Sequence, residues 1–226
     1  MTLARVPLLW AALSLALAAP GTCVAGLRAQ EVRALEILDA AAARYRSAPT
    51  VCADFVQELS VPLLDEERTG RGRLCQAQPD LFAMRFTDPD GDAVVVDGTW
   101  VWVYTPSLDP KQVFRFSMAQ APGGFDFHRE FLDRPAERYE VTYEDVESID
   151  GHPTHRVRLV PRAPGMSYRA AVVWIDRSEH VLRRVRVEEE NGSVRTVSLD
   201  GIRLGAGAPE GWFTFTPPPG TQVITR

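Results

Sequence analysis

Few residues of this 226-residue chain are of types and spacings that could do chemistry. His152 and His155 bracket Pro153-Thr154 and offer two imidazoles to a metal, but no cysteine or acidic cluster completes a ligand set, and a surface turn is expected. His128 and His180 stand alone. Asp88-Pro89-Asp90-Gly91-Asp92 has the oxygens of a calcium loop, yet its glycine is misplaced, the chelating glutamate is absent and no helix follows, so it reads as a polar turn. Ser167 follows Gly165-Met166 without a Gly-x-Ser-x-Gly elbow. Glu188-Glu189-Glu190 reads as a solvated strand end, and Gly205-Ala206-Gly207 with Gly211 opens no helix that could cradle a phosphate. With no nucleophile–base pair, metal set or cofactor motif, the chain is expected to be no enzyme and to hold no cofactor or metal.

Cys52 and Cys75 offer different chemistry. If the chain folds back as a hairpin centred near Leu63-Leu64, these two stand directly opposite each other, within disulfide reach. A Cys52–Cys75 disulfide is therefore expected, the alternative being two buried thiols. A bridge of this kind suits an oxidising compartment.

The N-terminus points to such a compartment. Arg5 is the only charge before Arg28, and the apolar run Val6–Ala19 leads to Cys23-Val24-Ala25, with small residues at −1 and −3 if cleavage follows Ala25. That is the pattern of a secretory signal, and the run is shorter than the roughly 20 residues a membrane span needs. Residues 1–25 are read as a signal peptide and 26–226 as one domain, long enough for a full core. The net charge is −5, becoming −6 once Arg5 is removed, and no basic stripe suggests nucleic acid.

The elements that would position a site are mostly strands. Gln30–Ser47 reads as an amphipathic helix stopped by Ser47-Ala48-Pro49. The period then changes to two: Leu81–Phe86, Val94–Val96 and Trp100–Tyr104 about a tight Asp97-Gly98 turn, Val113–Phe116, Tyr139–Val146, Thr154–Val160, Tyr168–Ile175, Val181–Glu189, Val194–Leu204 and Trp212–Thr216. A short aromatic helix is expected around 125–133, closed by Pro135. The expected fold is mostly β with helices (α+β): an incomplete antiparallel barrel of about eleven strands, its apolar concave side covered by the two helices. Phe82, Met84, Phe86, Trp100, Trp102, Tyr104, Phe114, Phe116, Phe125, Phe127, Phe131 and Trp174 exceed what a small barrel centre needs, and either pack a core or line an apolar ligand cavity.

Several stretches, in order along the chain, resemble the LolA family of periplasmic outer-membrane lipoprotein carriers. Phe55-Val56-Gln57 matches the family's first strand. Gly70-Arg71-Gly72-Arg73-Leu74 leads to Pro79-Asp80-Leu81-Phe82, and Asp97-Gly98 leads to Trp102-Val103-Tyr104-Thr105-Pro106 and Gln112-Val113. Phe213-Thr214-Phe215-Thr216-Pro217-Pro218-Pro219-Gly220 is similar to the family's ending. The resemblance implies a half-open barrel with a helical lid and a soluble periplasmic carrier, expected to be monomeric. Such a carrier accepts acylated lipoproteins from an inner-membrane ABC-type releasing complex and passes them to an outer-membrane acceptor. It places Phe82 at the mouth and Trp102 and Tyr104 on a barrel strand; Phe125, Phe127 and Phe131 are assigned to the lid by position alone. Alternatives of the same fold are a lipid-sensing regulator and a membrane-anchored acceptor; the latter needs a lipidated cysteine, and Pro20-Gly21-Thr22 before Cys23 is a poor lipidation signal. Where the family often carries a lid-bonding arginine this chain has Gln78, so closure is expected to be weaker or differently held.

Overall fold

In the computed structural model residues 22–118 and 127–226 are described, with side chains of the first helix from Arg28 onward. The expected signal peptide up to Gly21, the Cys23 side chain and Phe125 lie outside the described residues.

β1 (Thr50–Val61) and β2 (Glu66–Ala77) form a hairpin around a short helical turn at Pro62–Leu64. Its register sets Cys52 opposite Cys75, and the two are joined by a disulfide with Cα atoms 4.1 Å apart. The chain then meanders through β3 (Leu81–Asp88), β4 (Asp90–Asp97), β5 (Trp100–Tyr104) and β6 (Gln112–Ser117). A second meander comprises β7 (Tyr139–Ile149), β8 (His152–Pro161), β9 (Tyr168–Asp176), β10 (Leu182–Glu189) and β11 (Val194–Leu204). The two join where β11 pairs antiparallel with β1, Leu204 opposite Val51 and Val194 opposite Ser60. Gly98, at φ 90° in the β4–β5 turn, takes a backbone conformation that side-chain-bearing residues disfavour.

Twelve strands appear among the described residues, one more than the sequence suggests, and the last is placed differently. Trp212–Thr216 alternates like a strand but makes no ladder. Its aromatics instead lie on the outer face of the sheet, and the run Pro217-Pro218-Pro219, which has no N–H to donate, follows. The twelfth strand, β12 (Gln222–Thr225), comes after it and pairs parallel with β6, Val223 opposite Val113. β7 and β12 form the two edges, so the curled sheet is an incomplete barrel.

Glycines make the curl possible at β2. A Cβ on Gly72 would lie 2.1 Å from the Arg85 carbonyl oxygen, next to a register shift between Arg71 and Gly72, and one on Gly70 would meet the Phe86 ring at 2.7 Å. The Gly-x-Gly pair therefore lets β3 close in and Phe86 fold over β2.

Three helices lie on the concave side among the described residues: α1 (Thr22–Arg46), α2 (Phe127–Leu132) and α3 (Pro135–Arg138). α1 starts earlier than its periodicity suggests and buries Ala34, Leu38, Ala41, Ala42 and Tyr45, whereas Val32 faces solvent. It lies against β7, α2 and α3, and one continuous apolar core joins these helices to strands of both meanders. No helix among the described residues is long and apolar enough to cross a membrane.

The disulfide spans a sequence separation of 23 residues. Replacing both cysteines by serine is expected to lower unfolding stability by about 3 kcal/mol through released chain entropy. Urea unfolding under oxidising and reducing conditions measures this; two alkylatable thiols in the native protein would exclude the bridge.

Candidate functional site

Register fixes which side chains share the concave face. One row runs Leu74, Met84, Val94, Val103, Phe114 across β2 to β6, and the next runs Phe82, Val96, Val101, Phe116 across β3 to β6. Alternating with them are the outward rows: Ala83, Val95, Trp102, Arg115, and Arg85, Ala93, Tyr104, Val113. Where the inward rows run past the helical cover they leave an open cavity of about 580 Å³, lined on its apolar side by Leu59, Met84, Phe86, Val94, Val103 and Phe127. Its volume is in the usual range of ligand pockets. Gln57, Arg68, Asp88, Asp92, Ser107 and Arg195 give it a polar border. Asp92 is buried and accepts hydrogen bonds from the Ser107 amide (3.1 Å) and hydroxyl (2.7 Å), which fixes the β5–β6 loop at the cavity wall.

Only some of the residues singled out from sequence meet here. Met84, Phe86 and Phe127 line the cavity. Phe82 is wholly buried behind it, edge-on to Phe127 at 6.4 Å, and Phe131 is buried between Tyr139 and Tyr168 at 6.3 and 5.9 Å. Phe114 shares the inward row but lies toward the β12 edge, with Arg226 over its ring at 5.4 Å. Trp102 and Tyr104 must be corrected: they face the opposite side. β5 is apolar on both faces, and its valines point inward while its aromatics pack outward on Phe215 at 5.6 and 5.8 Å. Asp97 accepts the Trp102 indole N–H at 2.7 Å, and Arg85 donates to the carbonyls of Trp212 and Thr214, fastening the C-terminal segment over that face. Burial pushes the Asp97 carboxyl up, but hydrogen bonds from the Trp100 amide, the Trp102 indole and the Thr99 amide outweigh it, so it stays below its ordinary range.

α2 roofs part of the cavity through Phe127, and polar contacts invisible to sequence pattern hold the helix there. The Glu130 carboxylate accepts from the Tyr139 hydroxyl (2.9 Å), the Tyr168 hydroxyl and Arg138 (2.7 Å), and the two tyrosine hydroxyls are 2.7 Å apart. Burial, then the nearby Glu130 carboxylate, raises both phenols well above their ordinary value, so they remain proton donors. Arg129 reaches Asp80 at 2.8 Å. At the neighbouring corner the Gln78 amide approaches three carbonyls at the C-terminus of α1, those of Tyr45 (3.3 Å), Arg46 (3.0 Å) and Ala48 (3.0 Å), groups a helix end leaves unsatisfied. Gln78 thus tethers α1 without charge.

The histidine pair resolves into two separate roles. His152 lies 3.3 Å from Asp176, and His155 packs on the Tyr143 ring at 5.7 Å.

A curled one-sided sheet with a roofed apolar cavity agrees with what comparison of the sequence shows. Residues 46–216 match the family model described as outer membrane lipoprotein carrier protein LolA. The chain belongs to the LolA family. Outer-membrane lipoprotein carrier protein from Vibrio campbellii is 24% identical over 171 residues, covering 76% of this chain and 77% of that one. The protein of the same name from Halorhodospira halophila is 29% identical over 148 residues, 65% of each chain. Among solved structures, an uncharacterized conserved protein from Thermus thermophilus superposes with a TM-score of 0.55 at 17% identity, covering 86% of this chain and 99% of that one, a likeness of fold. The LolA architecture accounts for the half-open sheet and the helical cover together.

Glu130→Gln removes the charge that orders the Tyr139–Tyr168–Arg138 cluster. It is expected to cost about 1–3 kcal/mol and to act on the roof first. Amide exchange over residues 127–138 should accelerate while that of β2–β4 is unchanged; uniform acceleration would mean Glu130 stabilises the whole fold equally.

Proposed function

We propose that this LolA-family chain is a periplasmic carrier that shields the acyl chains of lipoproteins in transit from the inner to the outer membrane. The observation that carries this reading is the open apolar cavity on the concave face, roofed by a short helix held through polar groups. Each acyl CH₂ taken out of water contributes about 0.8 kcal/mol, so such chains need a covered apolar surface to cross an aqueous space. A roof fastened by hydrogen bonds and ion pairs can lift and re-form, and the energy lost on lifting lowers net affinity enough for release. Cargo would arrive from an ABC-type releasing complex and leave to an outer-membrane acceptor. Residues 1–25 would be a cleaved export signal preceding a single carrier domain, and N-terminal sequencing of the mature protein tests this. Phe86, Phe127 and Met84 are the side chains proposed to touch acyl chains.

Native mass spectrometry of the purified protein should find co-purifying acylated lipoprotein or lipid. The protein should also extract lipoproteins from energised inner-membrane vesicles. Phe86 is a better probe than the wholly buried Phe82, since it borders the cavity without filling the core. Phe86→Glu is expected to reduce extraction at least tenfold with thermal stability nearly unchanged. Normal extraction by that variant would remove Phe86 from the site, and an empty wild-type protein that extracts nothing would sink the carrier reading.

A further inference from the structure

We propose that His128 is a proton-operated latch on the roof helix: a neutral imidazole holds α2 down on α1 and β2, and protonation releases it. His128 is buried at the first turn of α2, and its ring lies 3.5 Å, centroid to centroid, from that of Tyr45 on α1. Its Nδ1 is hydrogen-bonded to the Gln76 carbonyl oxygen Oε1 on β2, while Nε2 is buried with no partner among the described residues. One ring thus joins three elements at the corner where the roof meets the sheet.

A neutral ring fits this place. With Nδ1 protonated it donates to Gln76, and Nε2 is left as a bare acceptor. An imidazolium has a second N–H with nothing to receive it. The groups around it do not compensate. From α1 come Tyr45, whose phenol burial keeps protonated and whose oxygen accepts the Leu182 amide, and the cation Arg46. From β2 comes Gln76 and from the β2–β3 connection Asp80, while α2 adds Arg129 and the residue after the helix, Asp133. Asp80 is ion-paired with Arg129. A cation against the Tyr45 face gains less than the hydration a buried charge loses. Burial accordingly lowers His128 to about 3, against an ordinary value of 6.5.

The direction follows by linkage. The ring takes a proton near 6.5 when the roof is lifted and resists it when the roof is down, so closure is fully stabilised above 6.5 and weakens as pH falls below it. The closed-to-open ratio drops about tenfold between pH 7.5 and 5.5. The latch is a property of the cargo-free protein and stands or falls separately from the carrier reading.

The test is binding of N-phenyl-1-naphthylamine, a neutral apolar fluorophore, to the cargo-free protein. Apparent affinity should rise about tenfold from pH 7.5 to 5.5, because the lifted state is more populated. His128→Phe keeps a ring against Tyr45 and removes the titration, and His128→Gln removes it without added bulk. Both should bind the probe with the same affinity at either pH. A wild-type affinity that does not change with pH, or a variant that retains the rise, overturns the latch. So does an NMR titration of the probe-free protein in which His128 protonates near 6.5 with the roof in place.

Discussion

Water cannot be allowed to wet the inner face of the curled sheet. Met84, Val94, Val103 and their neighbours form unbroken apolar rows across several strands, and a sheet with two open edges cannot fold this face onto itself as a closed barrel does. Everything on the concave side answers that constraint. α1 covers one half with Leu38 and with Ala34, Ala41 and Ala42, small residues that let the helix lie close, and α2 roofs part of the other with Phe127 and Phe131. What remains only partly covered is the cavity.

The two covers are held by different forces. α1 is part of the core and is tied at its end by Gln78. α2 is only two turns long, too short to be helical by itself, and depends on where its polar groups find partners. Glu130 finds two tyrosine hydroxyls and an arginine, Arg129 finds Asp80, and His128 finds Gln76. Each partnership ties α2 to another element of the fold. Directional bonds of this kind form and break as a set, whereas apolar contact alone would let the helix slide.

Much of this was legible from residue patterns, and the failures have physical causes. Period-two runs located most strands, and equal distances from a hairpin centre paired Cys52 with Cys75. The same periodicity misled at β5, where Trp-Val-Trp-Val-Tyr is apolar on both faces and size suggested that the aromatics line the cavity. Only the register to β4, with Val94 opposite Val103, shows that the valines do. The Phe-x-Phe alternation near the C-terminus reads as a strand, but those rings cover Trp102 and Tyr104 from outside. Glu130 and Tyr168 are 38 residues apart, and no local spacing announces their contact. His128 could be seen as a lone histidine among aromatics, which says nothing of a partner on β2.

The seam between β1 and β11 bears on the order in which the molecule can be made. β1 begins at Thr50, yet half of its ladder waits for residues near 200, and β6 gains its last partner only from Gln222–Thr225. A chain emerging from its N-terminus, from a ribosome or through a narrow pore, completes local hairpins early but cannot join its two meanders until residues 194–204 are out. Throughout that time its apolar rows are exposed. The protein therefore passes through a stage in which its own apolar rows need shelter from water.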